Sequence, residues 1–261
     1  MGRYVRLVGA VTLGFLLLPT LIVLVASFSA DRVLKFPPAG LSFRPYVEML
    51  SDPSIRAALV RSLVVGIESV ALSLVVGVIA SYALFRHRIR LRSAIVAFLS
   101  LGFSAPLVVS GVAFLLVFIQ LGIYGSLWST ALAVTIVNLP FMLFAVAASV
   151  VALDPELEHA AATMGADPAE TFLFVSIPAL MPGILTGSIL MFIFGVTEFL
   201  VSLTLSTVSN QTLPVLMFGS LRGAVSPMLA AAGGIYIIVA FAVVFVMSRL
   251  RSLGTFLYRA D

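Results

Sequence analysis

The sequence predicts an all-α, polytopic transmembrane helical bundle, and three observations carry that prediction. Hydrophobic residues fill 61% of the 261 positions and charged residues only 10%, with a mean hydropathy of +1.20. That is more apolar surface than a soluble core of this size can hide, so lipid must act as solvent. The apolar residues fall into continuous runs near the roughly 20 helical residues needed to cross a hydrocarbon layer of about 30 Å. Barrel strands would instead alternate lipid-facing and lumen-facing residues over about ten positions, and that alternation is absent.

Six runs are expected to span: Leu7 to Phe28, Leu59 to Phe85, Ala94 to Ile119, Leu127 to Val151, Ala179 to Leu205 and Met228 to Met247. The first follows Arg3 and Arg6 as a secretory signal would, yet its apolar stretch exceeds the 7–15 residues of a signal core and the small-residue pattern from Ala26 to Ala30 is poor. It reads as a retained anchor. Arg86, Arg88, Arg90 and Arg92 crowd the link between the second and third runs, which the positive-inside rule places in the cytoplasm. Parity then puts the link between runs four and five inside, with both termini, the C-terminal one carrying Arg249, Arg251 and Arg259. Arg32, Lys35, Arg44, Arg56, Arg61 and Arg222 fall outside. The pI near 9.9 therefore reflects membrane-edge arginines rather than a nucleic-acid surface.

Several chemistries are excluded. There are no cysteines, and the two histidines, His87 and His159, are far apart, so neither a disulfide framework nor a thiolate metal site is expected and metal catalysis has no support. A phosphate-binding loop needs G-x-x-x-x-G-K-[ST], but the one lysine, Lys35, follows Leu34. Any ATP hydrolysis must lie on another chain. An ion-coupled carrier remains the rival reading, although no inverted repeat is visible.

The link over residues 152–178 is the most ordered-looking part of the sequence outside the runs. Asp154-Pro155 reads as an N-cap with proline at the first helical position, and Gly165 reads as the stop. Asp167-Pro168-Ala169-Glu170 resembles a capping box opening a second helix, which should run towards Pro178. Two short helices with a glycine elbow are the expectation. On the first, Ala161, Ala162 and Gly165 form a small-residue face, suited to close docking of another protein or merely favourable to the helix.

The run Glu158-His159-Ala160-Ala161, followed by Gly165, Val175, Ile177 and Pro178, resembles the EAA loop of bacterial binding-protein-dependent importer permeases, E-A-A-x3-G-x9-I-x-L-P. His159 stands where that motif has glutamate, with Glu158 adjacent. The resemblance implies that this loop seats in a groove of an ATPase subunit and transmits its closure to the membrane helices, with Glu158 making the polar contact and His159 at the rim, where it would add pH sensitivity.

Glu198, within Gly195-Val196-Thr197-Glu198-Phe199 of the fifth run, is a costly intramembrane carboxylate, at about 3 kcal/mol near mid-span. It reads either as a wall of the translocation pathway, with Thr197, or as an interfacial residue pairing with Arg222. Asn138 precedes Pro140, where a kink is expected. It reads as a solute contact or as an interhelical hydrogen bond. Gly183 and Gly187 stand at G-x-x-x-G spacing, which permits close packing of the fifth run. The segment from Ser206 to Pro227, with Thr212-Leu213-Pro214-Val215, Phe218 and Arg222, is expected to lie along the outer face. It is similar to the spermidine/putrescine class of these permeases.

By that resemblance the chain is a single permease domain over residues 1–261 of the type I importer fold, in the bacterial inner membrane. Its implied partners are a second permease subunit, two ATPase subunits and an extracytoplasmic solute-binding protein. The chain is then no enzyme and carries no cofactor, ATP and magnesium belonging to the partner ATPase. Polyamines are the preferred solute; ferric iron, thiamine and sulfate-like anions are alternatives.

Overall fold

The computed structural model describes the backbone of residues 2–221 and 226–257, and the side chains within 4–245 other than 222–225. Arg222 and Arg259, which the topology reading used, lie outside the described residues, and Arg3, Arg249 and Arg251 lie outside the described side chains. Among the described residues the secondary structure is helical apart from one isolated bridge between Ser29 and Leu41.

Five helices among the described residues are long and apolar enough to cross a membrane: Tyr4–Ser27, Pro53–Arg86, Leu127–Ala152, Pro168–Thr197 and Pro227–Phe245, with Leu107–Gln120 a shorter apolar helix. The chain packs as two compact units. One comprises Met1–Leu59 and Leu213–Ala242, the other Val60–Thr212 and Val243–Asp261.

In the first unit, α1 (Gly2–Ser27) is followed by a loop, the short α2 (Arg44–Ser51) and the opening turns of α3 (Pro53–Arg86). The loop is closed by the Asp31 carboxylate, which accepts the Ala39 N–H at 3.0 Å and the Ser29 hydroxyl at 3.1 Å. The core of this unit gathers Met49, Ile55, Ala58, Leu213, Ala231 and Ala232.

The second unit is built around α7 (Leu127–Ala152), which opens on a Ser126 cap accepting the Ser129 N–H. Apolar on all sides, α7 is also the most buried of the long helices, although Trp128, Ile136, Phe144 and Val151 stay exposed. Near one end Val134 and Val137 pack with Val65, Phe118, Val201 and Leu205; near the other Met142, Val146 and Val150 pack with Val78, Leu180 and Ile184. The G-x-x-x-G pair has a concrete use here. A methyl group on Gly183 would lie 2.5 Å from the Ala145 carbonyl oxygen, and one on Gly187 2.5 Å from the Met142 sulfur, so only glycine lets these backbones meet.

Two expected spans are interrupted. The third becomes α4 (Arg92–Leu99), α5 (Leu101–Ser104) and α6 (Leu107–Gln120). Ala105 is extended (φ −79°, ψ 148°) because the Pro106 ring disfavours a helical residue before it. The fifth runs as α9 (Pro168–Thr171), a π-turn over Phe172–Ser176 and α10 (Ile177–Thr197), then breaks at Glu198 before α11 (Leu200–Leu205). The second loop helix runs to Pro178 as expected but does not stop there: Pro178 lies two residues past the π-turn, and the helix continues to Thr197. Then follow α12 (Leu213–Leu221), in the first unit, and α13 (Pro227–Leu257), which belongs to the first unit as far as Ala242.

Candidate functional site

The link between α7 and α10 folds as its local chemistry dictates. Asp154 Oδ1 accepts the Glu156 N–H at 3.0 Å and starts α8 (Pro155–Thr163), with Pro155 in the first turn. Gly165, at φ +96°, takes the left-handed conformation that side chains resist and so forms the elbow. Both arms of the capping box are made: Asp167 Oδ1 accepts the Glu170 N–H at 2.8 Å and Glu170 Oε2 accepts the Asp167 N–H at 2.9 Å.

Glu158 is where this link is joined to the spans. Its Oε1 accepts the Tyr82 hydroxyl at 2.8 Å and the Ser176 hydroxyl at 2.6 Å, and its Oε2 accepts the Arg86 Nε–H at 2.6 Å and pairs with Arg86 Nη2. Tyr82 and Arg86 end α3, and Ser176 ends the π-turn, so one carboxylate ties three elements together. Phe172 and His87 pack on the Tyr82 ring at 4.7 and 5.7 Å. The π-turn is what turns Ser176 to this point, in keeping with the frequency of such turns at functional positions.

Glu158 and Arg86 side chains are each only 15% exposed, so the pair is mostly withdrawn from water. Burial pushes the Glu158 carboxyl upward in pKa, but hydrogen bonds from Ser176, Tyr82 and Arg86, together with the Arg86 charge, outweigh it and hold the group below the ordinary glutamate range. Glu158 was expected to reach outward to an ATPase; in this chain its hydrogen bonds run inward, to Tyr82, Arg86 and Ser176. The outward face of the link carries other groups. His159, Ala160 and Gly165 are exposed, Ala161 is half-buried, and Leu157 and Met164, seven residues apart on one helix face, are 51% and 90% exposed. Sequence reasoning passed over this apolar pair, whose signal was its helical spacing within a charged segment.

The expected pathway residues each make hydrogen bonds close to home in the chain. Both Glu198 oxygens are used on α11, Oε1 accepting the Val201 N–H at 2.9 Å and Oε2 the Ser202 N–H at 2.8 Å. The carboxylate satisfies donors that a helix start leaves open and complements its dipole, which is why the span can break there. Thr197 donates to the Ile193 carbonyl at 2.7 Å, within its own helix. Asn138 is buried and donates to the Val134 carbonyl at 2.9 Å, a bond within α7 rather than between helices. An apolar recess of about 420 Å³ beside the α5–α6 break is lined by Phe98, Leu101, Gly102, Phe114, Ile136 and Leu139.

One acidic residue was missed altogether. Glu68 lies within the second apolar run, and the signal was simply a carboxylate flanked by Val65, Ile67, Val70 and Ala71. Its Oε2 is fully buried and has no hydrogen-bond partner among the described residues.

The profile of the family described as "Binding-protein-dependent transport system inner membrane component" matches residues 73–254. The chain is 27% identical over 241 residues to the spermidine/putrescine transport system permease protein PotC of Haemophilus influenzae, covering 92% of this chain and 93% of that one. It is 30% identical over 175 residues to the molybdate/tungstate transport system permease protein WtpB of Pyrococcus abyssi, covering 67% and 70%. Its fold is similar to that of a bacterial ABC transporter involved in the import of the acidic polysaccharide alginate, with a TM-score of 0.69, 22% identity and coverage of 95% and 96%.

Proposed function

The chain belongs to the family of binding-protein-dependent transport system inner membrane components, and from that premise we propose how it works and what it carries. It is a permease subunit of an ATP-driven solute importer and not itself an enzyme. In the proposed assembly it pairs with a second permease subunit, two ATPase subunits that hold ATP and magnesium, and an extracytoplasmic solute-binding protein. Both termini and the α8 link face the cytoplasm, as the Arg86 to Arg92 cluster favours.

The Glu158 clamp is the observation that carries this mechanism. An ATPase closing on the exposed Leu157–Met164 face displaces α8, and because Glu158 holds Tyr82, Arg86 and Ser176, α3 and α10 move with it. The pathway then opens outward to accept solute from the binding protein, and hydrolysis returns it inward. The role read for Glu158 thus changes from docking contact to internal joint.

A polyamine is the proposed solute, supported by the likeness to PotC over nearly the full length of both chains. Uptake of labelled putrescine, spermidine and molybdate is to be compared in cells with and without the chain. Putrescine or spermidine uptake that disappears with the chain, survives an uncoupler and fails on ATP depletion is the expected result. Loss of molybdate uptake alone would replace the polyamine with an oxyanion, and uptake that tracks the ion gradient would refute the importer mechanism.

A further inference from the structure

Glu68 lies fifteen residues into α3, about 22 Å from its start and so deep within the span. An ionisable side chain at that depth normally faces protein or a water-filled cavity, not lipid, and has a partner. Among the described residues neither salt bridge involves Glu68, and its Oε2 is buried without a hydrogen bond. The other in-span carboxylate, Glu198, has both oxygens committed to the N–H groups of α11.

The backbone that presents Glu68 is firmly seated. A methyl on Gly195 would lie 2.8 Å from the Gly66 Cα, and one on Gly66 2.5 Å from Val196, so α3 and α10 meet backbone to backbone two residues before the carboxylate. Ser69 adds a hydroxyl bond to the Ala131 carbonyl of α7 at 3.4 Å. A second buried oxygen without a partner, Ser202 Oγ, lies next to Val201, and Val201 shares a hydrophobic cluster with Val65, one turn before Glu68. A carboxylate oxygen and a hydroxyl oxygen, both buried and unpartnered among the described residues, thus belong to residues adjoining members of one hydrophobic cluster.

We propose that Glu68 is the counter-charge that holds an ammonium group of the transported amine inside the membrane, with Ser202 as a further, neutral acceptor. This rests on the polyamine reading of the solute. A protonated amine leaving the binding protein sheds water, and without an anion that loss is uncompensated in a low-dielectric site. The carboxylate meets the cost only while solute is in transit, so its contribution falls on the transport step and not on docking of the binding protein.

The test uses the whole importer in proteoliposomes, assembled with wild-type, Glu68→Gln or Glu68→Asp permease. Labelled putrescine uptake and ATP hydrolysis are followed as putrescine-loaded binding protein is titrated. Glu68→Gln should lower the maximal uptake about tenfold or more, the scale of losing a hydrogen bond to a charged group. The half-saturating concentration of loaded binding protein and the recovery of intact complex should not change, and Glu68→Asp should recover much of the uptake. Wild-type uptake with Glu68→Gln would overturn the proposal. So would loss of the partner subunits from the Glu68→Gln complex, which would make the carboxylate an interface residue. If the wild-type importer does not carry putrescine, the solute reading falls, and this proposal with it.

Discussion

Glu158→Gln keeps the shape of the clamp and removes the charge that Arg86 faces. With both side chains mostly buried, the loss should cost about 1–3 kcal/mol at this joint. The informative measurement is solute moved per ATP hydrolysed. A severed joint lowers that ratio while hydrolysis continues, whereas equal losses in both would make Glu158 only a fold determinant. The acid limit of the clamp follows from the same contacts. Burial works against the Glu158 charge, and the bonds from Ser176, Tyr82 and Arg86 more than offset it, so the folded pKa is the lower one. Stability from such a group is full above the unfolded value of about 4.3 and is lost as pH falls through the folded value. The protection factors of α8 amides, exchange rates taken relative to the unfolded chain at the same pH, should therefore stay constant from about pH 8 to pH 5 and fall only below about pH 4. For Glu198, removing a helix-start acceptor by Glu198→Ala should cost about 1–2 kcal/mol of thermal stability. Uptake by the surviving protein should keep its dependence on solute concentration; a selective loss of solute affinity would restore Glu198 to the pathway.

At the scale of elements, the α7–α10 contact is close because Gly183 and Gly187 bring the two helices together, the Gly183 position lying against the Ala145 carbonyl. Gly183→Leu should force the helices apart at an overpacking cost of about 1–3 kcal/mol, seen as reduced yield and an earlier melting transition of the purified complex. A melting curve like the wild type's would show that the contact yields without cost. The elements that sequence reading identified are those made by neighbours in the chain. Asp154, Gly165 and the Asp167–Glu170 box each act within four residues, and each is found as expected. The inward turn of Glu158 was not legible, since Arg86 and Tyr82 are 72 and 76 positions away. Two further misses had local signals. Pro106 announced the break before α6, and Glu68 stood in plain view in an apolar run, but neither was weighed against the length of the run. For Glu198 the depth was legible as a cost, and the helix start beside it, which supplies partners, was not.

At the scale of the molecule, orientation decides whether an ATPase can reach α8 at all. The helix from Pro168 to Thr197 is 30 residues long, about 45 Å at 1.5 Å per residue, and so exceeds the hydrocarbon thickness. Residues just before and just after it must emerge on opposite sides. Met164 and Val208 are such a pair, 90% and 93% exposed, and the chain has no cysteine to confuse a thiol label. In intact spheroplasts a membrane-impermeant maleimide should label Val208→Cys and leave Met164→Cys untouched until the membrane is opened. Labelling of Met164→Cys from outside would place Leu157 and the Glu158 joint on the side without ATP, and no cytoplasmic motor could then act through them.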